Sequence, residues 1–127
     1  MNSEIRNQEL VESARAIIAT RFKQDYHHIG CALRTRSGQV FSAVHLEANV
    51  GRIAVCAEAV TIGMAAAAGD TEIETIVAVD YRGNIVSPCG MCRELISDYA
   101  DDCMVIVSED VIVPILELLP RKYTRQE

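Results

Sequence analysis

The residues able to do chemistry fall in two short clusters, Cys56-Ala57-Glu58 and Pro88-Cys89-Gly90-Met91-Cys92. Thiolates bind Zn2+ well, since zinc favours sulfur in tetrahedral geometry, and three of them leave a fourth position open to water. That opening marks a catalytic site, because structural zinc sites are closed by a fourth protein ligand. Glu58 follows Cys56 closely enough to reach the site mouth without being a ligand. A carboxylate placed there is a ready proton carrier. Zinc with three thiolates carries a net negative charge, which two helix N-termini would offset. Arg93, directly after the last cysteine, is a candidate counter-charge.

Two other readings use the same residues. A structural zinc knot would leave Glu58 without a task, and thiol redox at Cys89-x-x-Cys92 would strand both Cys56 and Glu58. Cys31 and Cys103 sit in or beside apolar runs and read as inert core. A fourth cysteine at the metal would close the site.

The elements that must hold these groups follow from periodicity. Leu10, Val11, Ala14, Ile17, Ile18 and Phe22 form a helical stripe, with Ser3 as the expected cap. Ile29, Cys31 and Leu33 then alternate with Gly30, Ala32 and Arg34. Ser37-Gly38 turns the chain into a second strand over 39–46. A helix is expected over 56–68, stopped by Gly69-Asp70, and a doubly buried strand over 73–80. After a turn at Gly83-Asn84 comes a helix from Cys89 or Gly90 to about Ala100. A buried strand over 104–107, a short strand at Ile112-Val113 and a short helix over 114–119 complete the chain. Strand–helix–strand crossovers imply neighbouring parallel strands in a mixed sheet with helices on its faces.

The chain has 127 residues, 50% hydrophobic and 24% charged, which suits one packed domain, residues 1–127. Lys and Arg number 12 against 18 Asp and Glu, a net charge of −6. An acidic chain of this size is a poor general binder of nucleic acid polymer. No apolar run is long enough to span a membrane, and no secretory signal is read at the N-terminus, so no membrane partner is expected and the cytoplasm is the expected compartment. Five cysteines without a secretory context point to free thiols or metal ligands.

The paired motifs resemble those of the cytidine deaminase superfamily, within it most closely the bacterial blasticidin-S deaminase branch. The likeness runs from about His27 to Tyr123. It includes His27-His28-Ile29-Gly30-Cys31-Ala32, Ser42 to Ala48, Val55 to Ala59, Val86 to Ala100 and Leu118-Leu119-Pro120. It implies a three-layer α/β/α fold with a mixed sheet of about five strands. It also implies Zn2+ on Cys56, Cys89 and Cys92, with Glu58 moving protons while a cytosine amine leaves as ammonia. The Ala57 N–H and Ser87 carbonyl would line the base pocket, and Tyr123 would close it, often from a neighbouring subunit. His27 and Arg82 fall near positions that contact blasticidin S in the fungal form of the enzyme. A small-molecule nucleoside substrate, a homotetramer and no organic cofactor complete the expectation.

Two departures bear on substrate. Ordinary cytidine deaminases carry Asn-x-Glu before the helix to hold the ribose, where this chain has His45-Leu46-Glu47. They usually carry Arg after Cys-Ala-Glu, where this chain has Ala59. Both point away from plain cytidine and toward blasticidin S, with His45 and Glu47 as sugar contacts. Cytidine or deoxycytidine salvage is the alternative.

Overall fold

The computed structural model describes residues 2–126. A helix α1 (Ser3–Arg21) leads into strands β1 (Ile29–Thr35) and β2 (Val40–Val44), then helix α2 (Ala57–Ala67). Strands β3 (Ile73–Asp80) and β4 (Ile85–Val86) follow, then helix α3 (Gly90–Tyr99), strands β5 (Met104–Ser108) and β6 (Val111–Pro114), and a 3-10 turn at Ile115–Leu118. The sheet runs β2-β1-β3-β5-β6, with β4 paired to β3 off that path.

The alternation of side chains along each strand divides the sheet's two faces. Leu10, Val11, Ala14 and Ile18 of α1 pack on Ala32, Val77, Val79 and Ile106. Cys31, Leu33, Ile76 and Val105 face the other way, against Ala57, Ile62 and Ala65 of α2 and Cys92 and Ile96 of α3. Two helices on one face and one on the other give the three layers. Each fully buried aliphatic side chain contributes about 1.5–3 kcal/mol of transfer free energy. The α1 contact is close at Gly30, where a Cβ would lie 2.6 Å from the Ala14 carbonyl oxygen and 2.9 Å from Ile18 Cβ.

The three-layer fold with a mixed sheet is as expected, its main path of five strands joined by a sixth, Ile85–Val86, which pairs with Val79 and Ala78. A two-residue strand is too short to show an alternating pattern. Several expectations need correction. Asn2 caps α1, its side chain accepting from the Ile5 N–H at 2.9 Å, and Ser3 is the first helical residue. Phe22 lies past the helix end and is exposed, so the apolar stripe stops at Ile18. The second strand ends at Val44, and Leu46 pairs separately with Val55. Pro114 closes β6 and precedes the 3-10 turn.

The crossovers also divide. β3 and β5 are parallel neighbours, as expected of a strand–helix–strand unit. β2 and β3 run parallel too, but β1 lies between them, antiparallel to both. The C-terminal ends of β2 and β3 therefore share one sheet edge with the N-terminal end of β1. Among the described residues, no helix is long and apolar enough to cross a membrane.

Candidate active site

That shared edge collects the chemistry. The chain leaves β2, pairs Leu46 with Val55 through two 2.9 Å hydrogen bonds, and enters α2 at Cys56. His45 and Cys56 are the residues next to that bridge, on its β2 and α2 sides. β4 turns back beside β3 and delivers Pro88 and Cys89 to the start of α3. Cys56 and Cys89 are the N-cap residues of α2 and α3, and Cys92 lies in the first turn of α3.

The sulfurs of Cys56, Cys89 and Cys92 all lie within 4.8 Å of one another, and those of Cys56 and Cys89 are 3.8 Å apart. A tetrahedron with Zn–S bonds of about 2.3 Å has S–S edges of about 3.8 Å. The donor set thus fits Zn2+ in chemistry and in spacing. Cys31 and Cys103 lie outside the cluster, fully buried in the core. Burial pushes the Cys103 thiol up to about 12 and the Cys31 thiol well above its ordinary value, which keeps both protonated.

Glu58 stands in the first turn of α2 and is buried. Burial pushes its carboxyl above the usual carboxylate range, opposed by its own backbone N–H and the Cys92 side chain. A carboxyl shifted that way suits a group that takes and returns protons near neutral pH. Ala57 is fully buried at the first position of α2, where helical N–H groups lack intrahelical partners. Two helix starts aim positive dipole ends at the sulfur cluster.

Three histidines border the same edge. The His28 N–H donates to His45 Nδ1 at 2.9 Å, and the Ile29 N–H approaches it at 3.3 Å. Accepting there leaves the His45 proton on Nε2. That nitrogen is 3.9 Å from Glu47 Oε2, beyond a hydrogen bond. Burial, with the charge of His28, holds the His45 pKa below its ordinary value, so the ring is neutral at pH 7. His27 Nδ1 donates to the His45 carbonyl at 2.8 Å. Glu47 keeps one oxygen on the Ala48 N–H at 3.1 Å and is otherwise exposed.

The remaining sequence candidates divide. Arg82 sits in the β3–β4 turn, its backbone N–H on Asp80 and its guanidinium over the Tyr81 ring. Tyr123 is 76% exposed on the single chain. Ser87 is exposed, and its hydroxyl accepts from Arg93 Nη2 at 3.1 Å. Arg93, the candidate counter-charge, directs its fork to the Pro88 carbonyl, the Leu118 carbonyl and Ser87.

Tyr81 was not singled out by sequence, and Phe22 only as part of the helical stripe. Their rings stack at 5.2 Å, and His28 lies against Tyr81 at 6.1 Å and against His45 at 5.4 Å. The pairing of Ile29 with Asp80 brings this set together, and nothing in the spacing of Phe22 and Tyr81 signals it.

The family model described as "Cytidine and deoxycytidylate deaminase zinc-binding region" matches residues 5–108. Blasticidin-S deaminase of Bacillus cereus is 49% identical over 128 residues, covering 92% of this chain and 91% of that protein. Cytidine deaminase from Mycobacterium leprae has the same fold, with a TM-score of 0.81 at 24% identity, covering 90% of this chain and 97% of that one. Cytidine deaminase from Mycobacterium tuberculosis gives a TM-score of 0.84 at 19% identity, covering 93% and 97%.

Proposed function

The chain belongs to the cytidine and deoxycytidylate deaminase family and is a deaminase of the zinc type. From that premise we propose that it hydrolyses the cytosine amine of the nucleoside antibiotic blasticidin S. In this reading one domain spanning 1–127 works in the cytoplasm as a homotetramer. Cys56, Cys89 and Cys92 hold Zn2+, which when bound lowers the pKa of water to about 7 and so supplies the nucleophile.

The convergence of three sulfurs beside a buried Glu58 carries the deaminase chemistry. Glu58 moves one proton to ring nitrogen 3 of the cytosine, which makes carbon 4 more electrophilic. The oxygen of water joins carbon 4. Glu58 then moves the proton left on that oxygen to the exocyclic nitrogen, the carbon–nitrogen bond breaks, carbon 4 keeps the oxygen as a carbonyl, and ammonia leaves. The Ala57 N–H and the Ser87 carbonyl orient the ring.

Substrate choice rests on His45 and on the likeness to the Bacillus cereus enzyme. A neutral imidazole with its Nδ1 already engaged presents a single N–H donor, and Glu47 beside it offers an acceptor. An Asn side chain would present both a donor and an acceptor to a sugar. His27, Arg82 and Tyr123 complete the proposed antibiotic contacts. The exposure of Tyr123 on a single chain suits a residue covered by a neighbouring subunit.

The test is ammonia release from blasticidin S and from cytidine by one preparation of known zinc content. The expected result is one zinc per chain and a higher kcat/KM on blasticidin S. A cytidine preference of about tenfold or more, some 1.4 kcal/mol in the barrier, would reverse the assignment.

A further inference from the structure

Arg93 makes an arrangement that the deaminase reading does not use. Its backbone N–H donates to the Cys89 carbonyl at 2.9 Å, the first hydrogen bond of α3. Its Nε donates to the preceding carbonyl, that of Pro88, at 2.8 Å. Nη2 donates to Ser87 Oγ at 3.1 Å, and Nη1 reaches the Leu118 carbonyl at a longer 3.4 Å. One residue thus holds three successive residues of the loop before α3 and also the end of the 3-10 turn. From Leu118 the chain continues through Leu119 and Pro120 to Tyr123.

The guanidinium is half-buried and, among the described residues, has no carboxylate partner in an ion pair. A cation placed that way is normally neutralised by a carboxylate, as Arg34 is by Glu74 at 2.8 Å. Here its donors go to uncharged oxygens, so the fork acts as a fastener and its charge stays available to a neighbouring negative site. A planar guanidinium suits this task because its donors diverge in fixed directions toward different segments.

Resting on the deaminase reading above, we propose that Arg93 is a positioning residue that fastens the Ser87–Cys89 wall of the base pocket to the C-terminal segment carrying Tyr123. The C-terminal segment has a second hold at Lys122, whose Nζ donates to Ser97 Oγ at 2.6 Å and Asp98 Oδ1 at 2.8 Å. Both of those acceptors lie on α3, so Arg93 is the side chain that joins the segment to the Ser87–Cys89 loop. The loop places the Ser87 carbonyl, so Arg93 acts on binding and orientation of the base through that carbonyl and needs no contact with substrate.

The experiment compares wild type with Arg93→Lys and Arg93→Ala, each checked by circular dichroism and for zinc content. Hydrogen exchange is followed over residues 85–89 and 116–124, and kcat and KM are measured on blasticidin S and cytidine. The ammonium of Arg93→Lys keeps the charge but cannot span the loop hydroxyl, loop carbonyl and turn carbonyl together. Expected are faster exchange in both segments of both variants and kcat/KM reduced about 10- to 100-fold with zinc retained. The KM rise should be the larger part, and added guanidinium ion should restore Arg93→Ala in part.

Wild-type kcat/KM in Arg93→Lys would overturn the fastening role in favour of charge alone. Faster exchange in only one segment would overturn the link between the two walls. Should Arg93→Ala fail to fold, Arg93→Lys alone decides by the same two readouts. Absence of turnover in wild type on either nucleoside would fail the deaminase reading, while the exchange comparison would still judge the fastener.

Discussion

The sulfurs of Cys56 and Cys89 lie 3.8 Å apart, although each residue caps a different helix. Any cation between them ties the start of α2 to the start of α3. Removing the metal should therefore loosen the fold as well as abolish turnover. Ligand linkage at a thousandfold excess over Kd is worth about 4 kcal/mol, or a Tm shift of ~10 °C or more in a small domain. Chelation followed by thermal melting checks this, and added Zn2+ should restore both activity and Tm. Cys31 and Cys103, fully buried, should resist alkylation in the folded protein with or without metal. Unchanged melting after complete metal removal would contradict the tie.

Glu58→Gln separates proton transfer from metal binding. The amide keeps the shape of the buried side chain but cannot accept the proton. General acid–base catalysis supplies typically 10²–10⁴-fold, so kcat should fall by about 10³-fold or more while zinc content stays at the wild-type level. Metal analysis and ammonia release on the same sample check it. A variant retaining a tenth or more of wild-type kcat would remove Glu58 from the chemistry.

The metal-ligand motif was readable because its chemistry is local: Cys56 with Glu58, and Cys89 with Cys92, each lie within one helical turn. The buried runs of β3 and β5 were readable because both faces of those strands are covered. What escaped depends on pairing. β4 exists only through two pairs with β3. The adjacency of His28, Tyr81 and Phe22 comes from the register of β1 against β3, which no stretch of sequence contains. Arg93 was recognised as a charge near thiolates, but its acceptor at Leu118 is set by where the 3-10 turn packs.

Gly30 marks where α1 sits on the sheet. A methyl group there would meet the Ala14 carbonyl oxygen at 2.6 Å and Ile18 Cβ at 2.9 Å, both on a helix that cannot yield locally. Gly30→Ala should destabilise the fold by about 1–3 kcal/mol, the usual range for overpacking. Urea unfolding measures it. Gly63, with nothing within 4 Å of an added Cβ, is the control, and Gly63→Ala in the middle of α2 should stabilise by up to about 1 kcal/mol. Equal midpoints for the two variants would show that α1 can shift at no expense.

His45 gives the site a pH-dependent support. Its Nδ1 accepts from the His28 and Ile29 N–H groups, so only the neutral ring can hold both. Burial lowers its pKa, followed by His28, while Glu47 pulls it back up and His27 adds a smaller push downward. The unfolded chain therefore takes up this proton first, at about pH 6.5. The stability His45 contributes is complete above that pH and drains as the pH falls through the lower folded value. Protonation also turns the acceptor into a donor facing two other donors. Asn in its place offers Oδ1 at nearly the position of Nδ1 and does not titrate. Urea midpoints of wild type and His45→Asn, compared at pH 7.5 and 5, should diverge at the acid end with wild type falling further. Shifts in Glu58 and other carboxyls occur in both proteins and cancel in that difference. A constant gap across the range would mean that the ring keeps its proton state through folding, and the two backbone N–H groups would then need another explanation for their orientation.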